Sequence, residues 1–541
     1  MLQSAVDVFI PTYNESQDIL VRTIVGALNI DHPDLRVWVL DDGNRPNVRE
    51  LAENLGCFYV ARVNGKHAKA GNINNGLAHA LATGRTPQFI TVFDADFVAY
   101  SNFLKRTLPL FEEDDVGIVQ TPQHFFNRDP VQTNLDCIQS WPDEQRFFFN
   151  YLLESKDAFG AAFCCGTGAV LRVEALKLCH GMATATVTED MLTSFSMREH
   201  GYRTILLNER LSVGLAPENL SEYVSQRCRW ALGAIQQLYT RWAPWGTAPV
   251  GWANRLSSFD TMLFWGAFFE FKLLLISAPA VYWLTGYQAV NTTFVDLIEN
   301  LAPLWITSSC VLAILSGKTL VPVIGEINLL IVAPSICRTL AKSIFKPFGR
   351  AFKVTNKGVT SNGITIQWEI MYPFLFLLAV TVIGTLLAIN PFGPVAVQPT
   401  LLAVTWTCMS VLILSAACAV CIEPAKRRKE ERFYAHEPIS IITDTGEKIS
   451  GELLDISLGG ARILCALPQN QSIQSLCFCK MQINVIKTQR YQNNILGIQF
   501  TTDLNTKKEM IPILYSNAFI HDDLQVNVTG TIKGWFEKLL N

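Results

Sequence analysis

Apolar positions along this chain change rhythm twice. From residue 1 to about 210, short apolar runs at Val6–Ile10, Val37–Leu40, Phe89–Phe93 and Gly117–Gln120 alternate with amphipathic stretches such as Ile19–Leu28 and Gly76–Leu81. That alternation predicts an α/β domain, a mostly parallel sheet with helices on both faces. Sheets of this kind bind ligands beyond the carboxyl ends of their strands. Two acidic motifs stand there, Asp41-Asp42-Gly43 after one run and Asp94-Ala95-Asp96 after another.

From about 255 to 422 the period disappears into long apolar stretches, Thr261–Leu284, Leu301–Ser316, Ile370–Ile389 and Leu401–Ile422. Each approaches the roughly 20 residues that cross a bilayer. Leu320–Ile336, interrupted by Pro322, Glu326 and Pro334, reads as an interfacial helix instead. Arg338, Lys342, Lys346, Arg350, Lys353 and Lys357 crowd one connecting loop, and Lys426–Lys429 follow the last stretch, which places both on the cytosolic side. After Glu423 alternation returns at Ile439–Thr443, Lys448–Ile456, Ala461–Cys465, Lys480–Val485 and Ile495–Phe500, the strands of a small barrel or sandwich. The tail Thr531–Leu540 has the spacing of a short amphipathic helix.

Composition sharpens this outline. At 541 residues the chain holds more than one domain, and 49% apolar residues with a mean hydropathy of +0.22 are high for a wholly soluble protein. A net charge of −3 offers no electrostatic case for a nucleic-acid partner. The 14 cysteines are scattered without paired zinc spacing and read as reduced thiols. No secretory signal precedes the run that begins at Val6.

The chemistry lies in the order of the motifs. A nucleotide-sugar transferase must hold a diphosphate, neutralise it as it leaves and deprotonate an acceptor hydroxyl. Carboxylates that grip a divalent cation serve the first two tasks, because Mg²⁺ and Mn²⁺ prefer oxygen ligands and keep part of their shell for phosphates. Alone, Asp94-Ala95-Asp96 or Asp41-Asp42-Gly43 is an ordinary turn. Thr188-Glu189-Asp190 alone is an ordinary helix start, with Thr as cap and acids suited to the dipole. Gln226, Arg229 and Trp230, at i, i+3 and i+4 of an expected helix Ser221–Tyr239, share one face and could hold diphosphate and a pyranose ring. An amphipathic helix lying on the bilayer would explain the same residues.

Taken together, Pro11-Thr12-Tyr13-Asn14-Glu15, Asp41-Asp42-Gly43, His67-Ala68-Lys69-Ala70-Gly71-Asn72, Asp94-Ala95-Asp96, Thr188-Glu189-Asp190 and Gln226-Arg227-Cys228-Arg229-Trp230 resemble the family-2 glycosyltransferases. With Phe352-Lys353-Val354-Thr355-Asn356-Lys357-Gly358, the chain resembles the bacterial cellulose synthase catalytic subunits along its whole length. That resemblance implies a GT-A-like domain over 1–245, a transmembrane region over 246–422 with a cytosolic gating loop at 338–362, a PilZ β-barrel over 423–525 and a terminal helix over 526–541. It also implies a bacterial inner-membrane enzyme that polymerises UDP-glucose into a β-1,4-glucan, inverting at the anomeric carbon.

By the same resemblance Thr12, Glu15 and Asp41 contact uridine, and Lys69 lies near the diphosphate. Asp94 and Asp96 hold UDP and Mg²⁺ or Mn²⁺. Asp190, beside Glu189, is the general base, and Gln226 and Arg229 bind the donor. Trp230 and Cys165 meet the acceptor, and Phe352, Val354, Thr355 and Lys357 form the gating loop. Arg428 and Arg432 with Asp455, Ser457 and Gly460 resemble the PilZ motifs that bind cyclic di-GMP; guanidiniums suit its phosphates and guanine edges. In the ligand-free state Glu218 is expected to pair with Arg427 or Arg428. Implied partners are UDP-glucose, the growing glucan, cyclic di-GMP, the lipid membrane and a periplasmic cellulose synthase subunit.

Three departures stand out. Cys164 and Thr167 replace Phe and Ser of the family's Phe-Phe-Cys-Gly-Ser string, Phe97 stands where many relatives carry His, and no transmembrane helices precede Val6. Two other readings stay open, a different cyclic di-GMP-regulated β-glucan synthase and a catalytically inactive membrane receptor for cyclic di-GMP.

Overall fold

The computed structural model describes residues 3–533 except 63, 138–139, 142–144, 291, 318–321, 350–362, 390–396, 398, 426–429, 469–470, 480, 491–493, 518, 520–526, 528 and 532. Phe352, Val354, Thr355 and Lys357, together with Arg427, Arg428 and most of the expected helix 526–541, lie outside the described residues.

Among the described residues, nine strands precede the first long apolar helix: β1 (Val6–Thr12), β2 (Leu35–Asp41), β3 (Phe58–Ala61), β4 (Phe89–Val92), β5 (Phe97–Ala99), β6 (Val116–Gln120), β7 (Ala169–Arg172), β8 (Arg203–Leu206) and β9 (Ser212–Gly214). Seven of them form one sheet in the order β3-β2-β1-β4-β7-β6-β8, while β5 pairs with β9. Every residue of β1 is buried, as in a strand covered on both faces, and its one charged side chain, Asp7, is paired with Arg36 and Arg85. The sheet is parallel except for β7, which runs antiparallel to both β4 and β6. Its reversal has a cause. The long excursion after β6 returns across the carboxyl ends of the strands, so β7 starts at the edge where β4 and β6 finish. Gly168, at φ +60°, makes that entry, its N–H bonded to the Val92 carbonyl (3.0 Å) and its carbonyl to the Thr121 N–H (3.0 Å). Residues 164–168 are thereby laid beside Asp94.

Among the described residues, four helices are long and apolar enough to cross a membrane: Trp252–Thr285, Phe294–Leu315, Trp368–Ile389 and Leu401–Val420. They coincide with the four stretches read from hydropathy. The helix Pro322–Ser343, where an interfacial element was expected, buries Ile327, Leu330, Ile331, Val332, Ala333 and Ile336 within the protein. It packs against the helix Leu220–Gln237 and the first apolar helix.

The strand β10 (Thr365–Ile366) pairs with β11 (Ile422–Glu423). Glu423 accepts hydrogen bonds from the Leu220 N–H (2.5 Å) and from Gln367 Nε2 (2.7 Å). One carboxylate therefore fastens the end of the last apolar helix to the start of the Gln-x-x-Arg-Trp helix. Beyond it, β12 (Phe433–Thr443), β13 (Lys448–Ser457), β14 (Gly460–Leu464), β15 (Ile473–Phe478), β16 (Met481–Arg490) and β17 (Ile495–Phe500) close into a barrel in the order β12-β13-β14-β17-β16-β15. Five of these strands were legible; β15 was not, because Ser475 occupies a fully buried position and breaks the apolar alternation.

The barrel docks on the transferase half through the helix Leu504–Leu514, which lies against Gln17–Leu28 with Lys507 bonded to Asp18 at 2.9 Å. Tyr515 fills the seam. Its ring sits 5.0 Å from Phe126 and 5.1 Å from Phe433, with the Arg22 guanidinium 5.9 Å above it. Burial pushes its hydroxyl up to about 12. Truncating this aromatic, Tyr515→Ala, is expected to cost about 3–5 kcal/mol. Hydrogen exchange should accelerate in 504–514, and unchanged exchange there would show that the seam is held elsewhere.

Candidate active site

The pocket forms where β4 ends. Thr167 Oγ1 accepts the Asp94 N–H (3.0 Å), which fixes the turn that carries both aspartates. Asp96 turns inward and is buried, while the Asp94 side chain stays 39% exposed with Lys69 Nζ 2.5 Å from its Oδ1. Lys69 also donates to the Gly166 carbonyl at 2.7 Å. It is presented by the start of the helix Ala68–Ala82, after His67 and Ala68 at φ +65° and +43°. Two successive non-glycine residues in the left-handed region are strained. Arg62 holds them there, bonded to the carbonyls of Lys66 (2.7 Å) and Ala68 (2.6 Å) and paired with Asp42. A side chain at Gly71 would overlap the Lys66 carbonyl, so the string His67-Ala68-Lys69-Ala70-Gly71 is a device for aiming one lysine.

Opposite Lys69 stand Glu189 and Asp190 in the first turn of the helix Glu189–Glu199. A Cβ at Gly166, whose φ is +87°, would lie 2.6 Å from Asp190 Oδ2 and 3.1 Å from Lys69 Nζ, so glycine is required where the three meet. Burial raises the pKa of both carboxyls, and for Glu189 the neighbouring Asp190 charge adds to it; Lys69 and Arg229 pull both back. Burial pulls Lys69 down, but Asp94, Glu189 and Asp190 outweigh it and hold the ammonium above its ordinary value. The structure thus brings Lys69, Asp94 and Asp190 together around Gly166, with Glu189 next to Asp190 and Cys165 next to Gly166 in the chain. Burial and the Asp190 charge push the Cys165 thiol well up, which keeps it neutral.

Other expected residues are placed differently. Thr188 is the N-cap residue, yet its hydroxyl makes no capping bond. Its hydroxyl is buried against Gly233 instead, so the helix starts where the string suggested, with both acids in its first turn, but without the threonine cap. Gln226 is bonded through Oε1 to Arg227. Trp230 lies under the Arg227 guanidinium (4.7 Å) and edge-on to Trp265 (6.4 Å), in a π-helical turn of the first apolar helix. All three residues lie on the one helix Leu220–Gln237, where Arg229 is exposed and Trp230 meets the membrane-region helix.

Beyond the ends of β1 and β2, Thr12, Glu15 and Asp41 converge around Arg45. Asp41 is completely buried and accepts from Gly43 N (2.9 Å), Arg45 N (2.7 Å), the Arg45 guanidinium (3.0 Å) and Tyr59 Oη (2.9 Å). Arg45 also donates to Thr12 Oγ1 (2.7 Å) and the Glu15 carbonyl (2.6 Å), while Thr12 donates to Glu15 Oε2 (2.7 Å). Asp41 thus organises the loop from within. Arg45 was overlooked, although its i+4 spacing from Asp41 was visible. Gln120 was overlooked too. It is wholly buried, and its amide binds Cys165 N (2.7 Å) and Thr167 O (2.8 Å), which places the acceptor-side strand.

In the barrel Asp455, 1% exposed, pairs with Arg432 (2.7 Å) and also with Arg462, a partner the motif did not announce. Ser457 Oγ donates to the Gly460 carbonyl (3.1 Å), and a side chain at Gly460 would overlap the Ile498 carbonyl.

Among the described residues no three His, Cys, Asp or Glu side chains gather as a closed metal site. Asp94 and Asp96 fit a hard cation that completes its shell with phosphate oxygens and water. The partial exposure of Asp94 leaves its carboxylate accessible to such an ion in exchange for Lys69.

A half-open acidic pocket at strand ends, apolar helices beside it and a separate β-barrel define a membrane-bound nucleotide-sugar transferase with a regulatory module. Family models agree: "Glycosyltransferase like family 2" matches residues 4–233, "Cellulose synthase" 179–319 and "PilZ domain" 426–514. The chain is 32% identical over 528 residues to the cellulose synthase catalytic subunit [UDP-forming] of Pseudomonas fluorescens (strain SBW25), covering 95% of this chain and 70% of that protein. It is 32% identical to putative cellulose synthase 2 of Komagataeibacter xylinus, over 85% of this chain and 30% of that longer protein. Of solved structures, the mannosyltransferase PcManGT from Pyrobaculum calidifontis in complex with GDP-Man and Mn2+ matches at 18% identity and a TM-score of 0.45, over 64% of this chain and 88% of that one, too slight a likeness to carry an argument. The chain belongs to the family of bacterial UDP-forming cellulose synthase catalytic subunits.

The raised carboxyls have a consequence for stability. A group that ionises less readily folded than unfolded stabilises at low pH, and that contribution is lost as pH rises through its elevated range. Glu189→Gln is therefore expected to raise Tm at about pH 8 and to leave it unchanged at about pH 4, where Glu189 is protonated in the folded chain. Equal effects at the two pH values would contradict the crowding of like charges.

Proposed function

We propose that this chain polymerises glucose from UDP-glucose into a β-1,4-glucan, processively and with inversion, and passes it across the inner membrane under activation by cyclic di-GMP. One observation carries the reading: Lys69, Asp94, Glu189 and Asp190 meet around Gly166 at the carboxyl edge of the sheet, in a chain whose relatives are UDP-forming cellulose synthases.

In this reading Asp190 takes the proton from the acceptor 4-hydroxyl as its oxygen attacks the anomeric carbon. The C1–O bond to the diphosphate breaks, and the electron pair leaves with UDP. Burial makes Asp190 a stronger base than an exposed aspartate, which suits that task. Lys69 and Arg229 supply positive charge where the leaving group forms. Mg²⁺ or Mn²⁺ held by Asp94 and Asp96 would supply Lewis acidity at the phosphate oxygens. Gly166 keeps the space between base and lysine clear, and Trp230 and Cys165 are assigned to the acceptor side. Thr12, Glu15 and Asp41 receive the uridine, with Arg45 as the group that shapes them. Gln226 and Arg229 serve the donor, and Phe352, Val354, Thr355 and Lys357 are assigned to the gating loop.

Cyclic di-GMP binding is assigned to Arg428, Arg432, Asp455, Ser457 and Gly460. A ligand phosphate or guanine competes for Arg432, now bound to Asp455. The basic residues of 338–362 and 426–429 support a cytosolic position for both soluble domains. A periplasmic subunit receives the polymer.

Asp190→Asn is expected to lower UDP-glucose turnover about 10²–10⁴-fold. A coupled assay for UDP release reads this directly, and retained turnover would remove Asp190 from its role. Arg432→Ala should abolish stimulation by cyclic di-GMP; an unchanged response would place the ligand elsewhere. Digestion of the product by a β-1,4-specific glucanase tests the linkage, and resistance would exclude cellulose.

A further inference from the structure

The helix that carries the catalytic carboxylates does not fix its own beginning. Its N-cap residue, Thr188, makes no side-chain cap, and its buried hydroxyl has no hydrogen-bond partner among the described residues. A Ser or Thr at this position normally bonds one of the free N–H groups of the first turn. Something outside the helix must set where Glu189 and Asp190 stand.

That something is the C-terminal half of the helix Leu220–Gln237, beyond the Gln-x-x-Arg-Trp string. Gly233 passes so close to Thr188 that a Cβ there would overlap the threonine's Oγ1, Cγ2 and Cβ. One turn on, Gln236 is buried and makes two hydrogen bonds. Its Oε1 accepts the Val187 N–H at 2.7 Å, and its Nε2 donates to the Pro347 carbonyl at 2.9 Å. An amide has one acceptor end and one donor end. Here both ends meet their complement, and a reversed amide would set like against like at each. Tyr239 continues the row, its hydroxyl donating to the Ile344 carbonyl.

We propose that Gln236, with Gly233, is a positioning residue for the transfer reaction. It holds the Val187–Thr188 backbone against the helix Leu220–Gln237 and thereby sets Asp190 against Lys69 and the acceptor hydroxyl. This rests on the reading of Asp190 as the base. Neither residue touches the reacting atoms, so their loss should impair the proton-transfer step and spare donor binding. Lys69, Asp94 and the Arg45 loop are held by other bonds.

The test uses the full chain in detergent or lipid, with UDP-glucose turnover followed across pH in saturating cyclic di-GMP, for the wild type, Gln236→Met, Gly233→Ala and Asp190→Asn. Gln236→Met keeps length and removes both hydrogen bonds; Gly233→Ala keeps the bonds and adds the methyl that displaces Thr188. Both are expected to lower kcat at least tenfold, to leave KM for UDP-glucose and the affinity for UDP within twofold, and to shift the acid limb of the kcat profile. A kcat within twofold of wild type in both variants overturns the proposal. So does a fall in UDP affinity that parallels the fall in kcat, because that marks general loss of structure. Asp190→Asn separates the two levels: if it retains turnover, the base assignment has failed, whereas a dead Asp190→Asn with active Gln236→Met and Gly233→Ala means that only the positioning role has failed.

Discussion

Everything in the transferase half is arranged around an imbalance of charge. Asp94, Glu189 and Asp190 face Lys69 across a pocket that Gly166 keeps open, with Arg229 contributing from the next helix. Like charges in a desolvated space repel, and the raised carboxyls register that cost. The fold tolerates it because each member is held by bonds made elsewhere: Lys69 by the strained turn that Arg62 clamps, Asp94 by Thr167, and the Glu189 helix by its neighbour. An acidic pocket so constructed suits positive charge, and in the proposed reading a cation that enters with the nucleotide diphosphate would supply it.

The same logic explains the antiparallel strand. Without the reversal at β7, residues 164–168 would not cross the carboxyl edge, and neither Gly166 nor the Thr167 hydroxyl would reach the acidic turn. The departure of Thr167 from the usual serine keeps the one atom that matters there, since the bond to the Asp94 N–H needs only the hydroxyl oxygen. The barrel is joined to this apparatus physically. Its docking helix lies on Gln17–Leu28, the helix that follows the Thr12–Glu15 loop, and Glu423 at its root reaches the start of the Gln-x-x-Arg-Trp helix. A ligand that alters the Arg432–Asp455 pair therefore acts on a body already in contact with the donor side of the site.

The sheet, the four apolar helices and the barrel were readable because burial on one or both faces writes its period into the chain. The missed strand Ile473–Phe478 and the reversal of β7 depend on a buried serine and on the path of a long connection, neither of which leaves a periodic mark. Motif order named Asp94, Glu189, Asp190, Lys69 and Arg229 from separate strings, and the structure sets the first four around Gly166. Motif order could not reveal that Arg45 fills the space around Asp41, that Thr188 is pinned instead of capping, or that Gln226 turns to Arg227. Those are tertiary choices, made when a long side chain finds the nearest buried partner. Gln120, Gln236 and Arg462 carried no motif at all; only folding brings their partners within reach.

The claim on which this account rests is that the pocket is short of positive charge until the nucleotide and its cation enter together. Calorimetric titration of UDP into the protein, with Mn²⁺ or Mg²⁺ and again in excess chelator, measures this most directly. The account requires that UDP bind at least tenfold more tightly with the cation, and that Asp94→Asn remove most of that difference. Equal affinity in chelator, or an undiminished cation effect in Asp94→Asn, would contradict it.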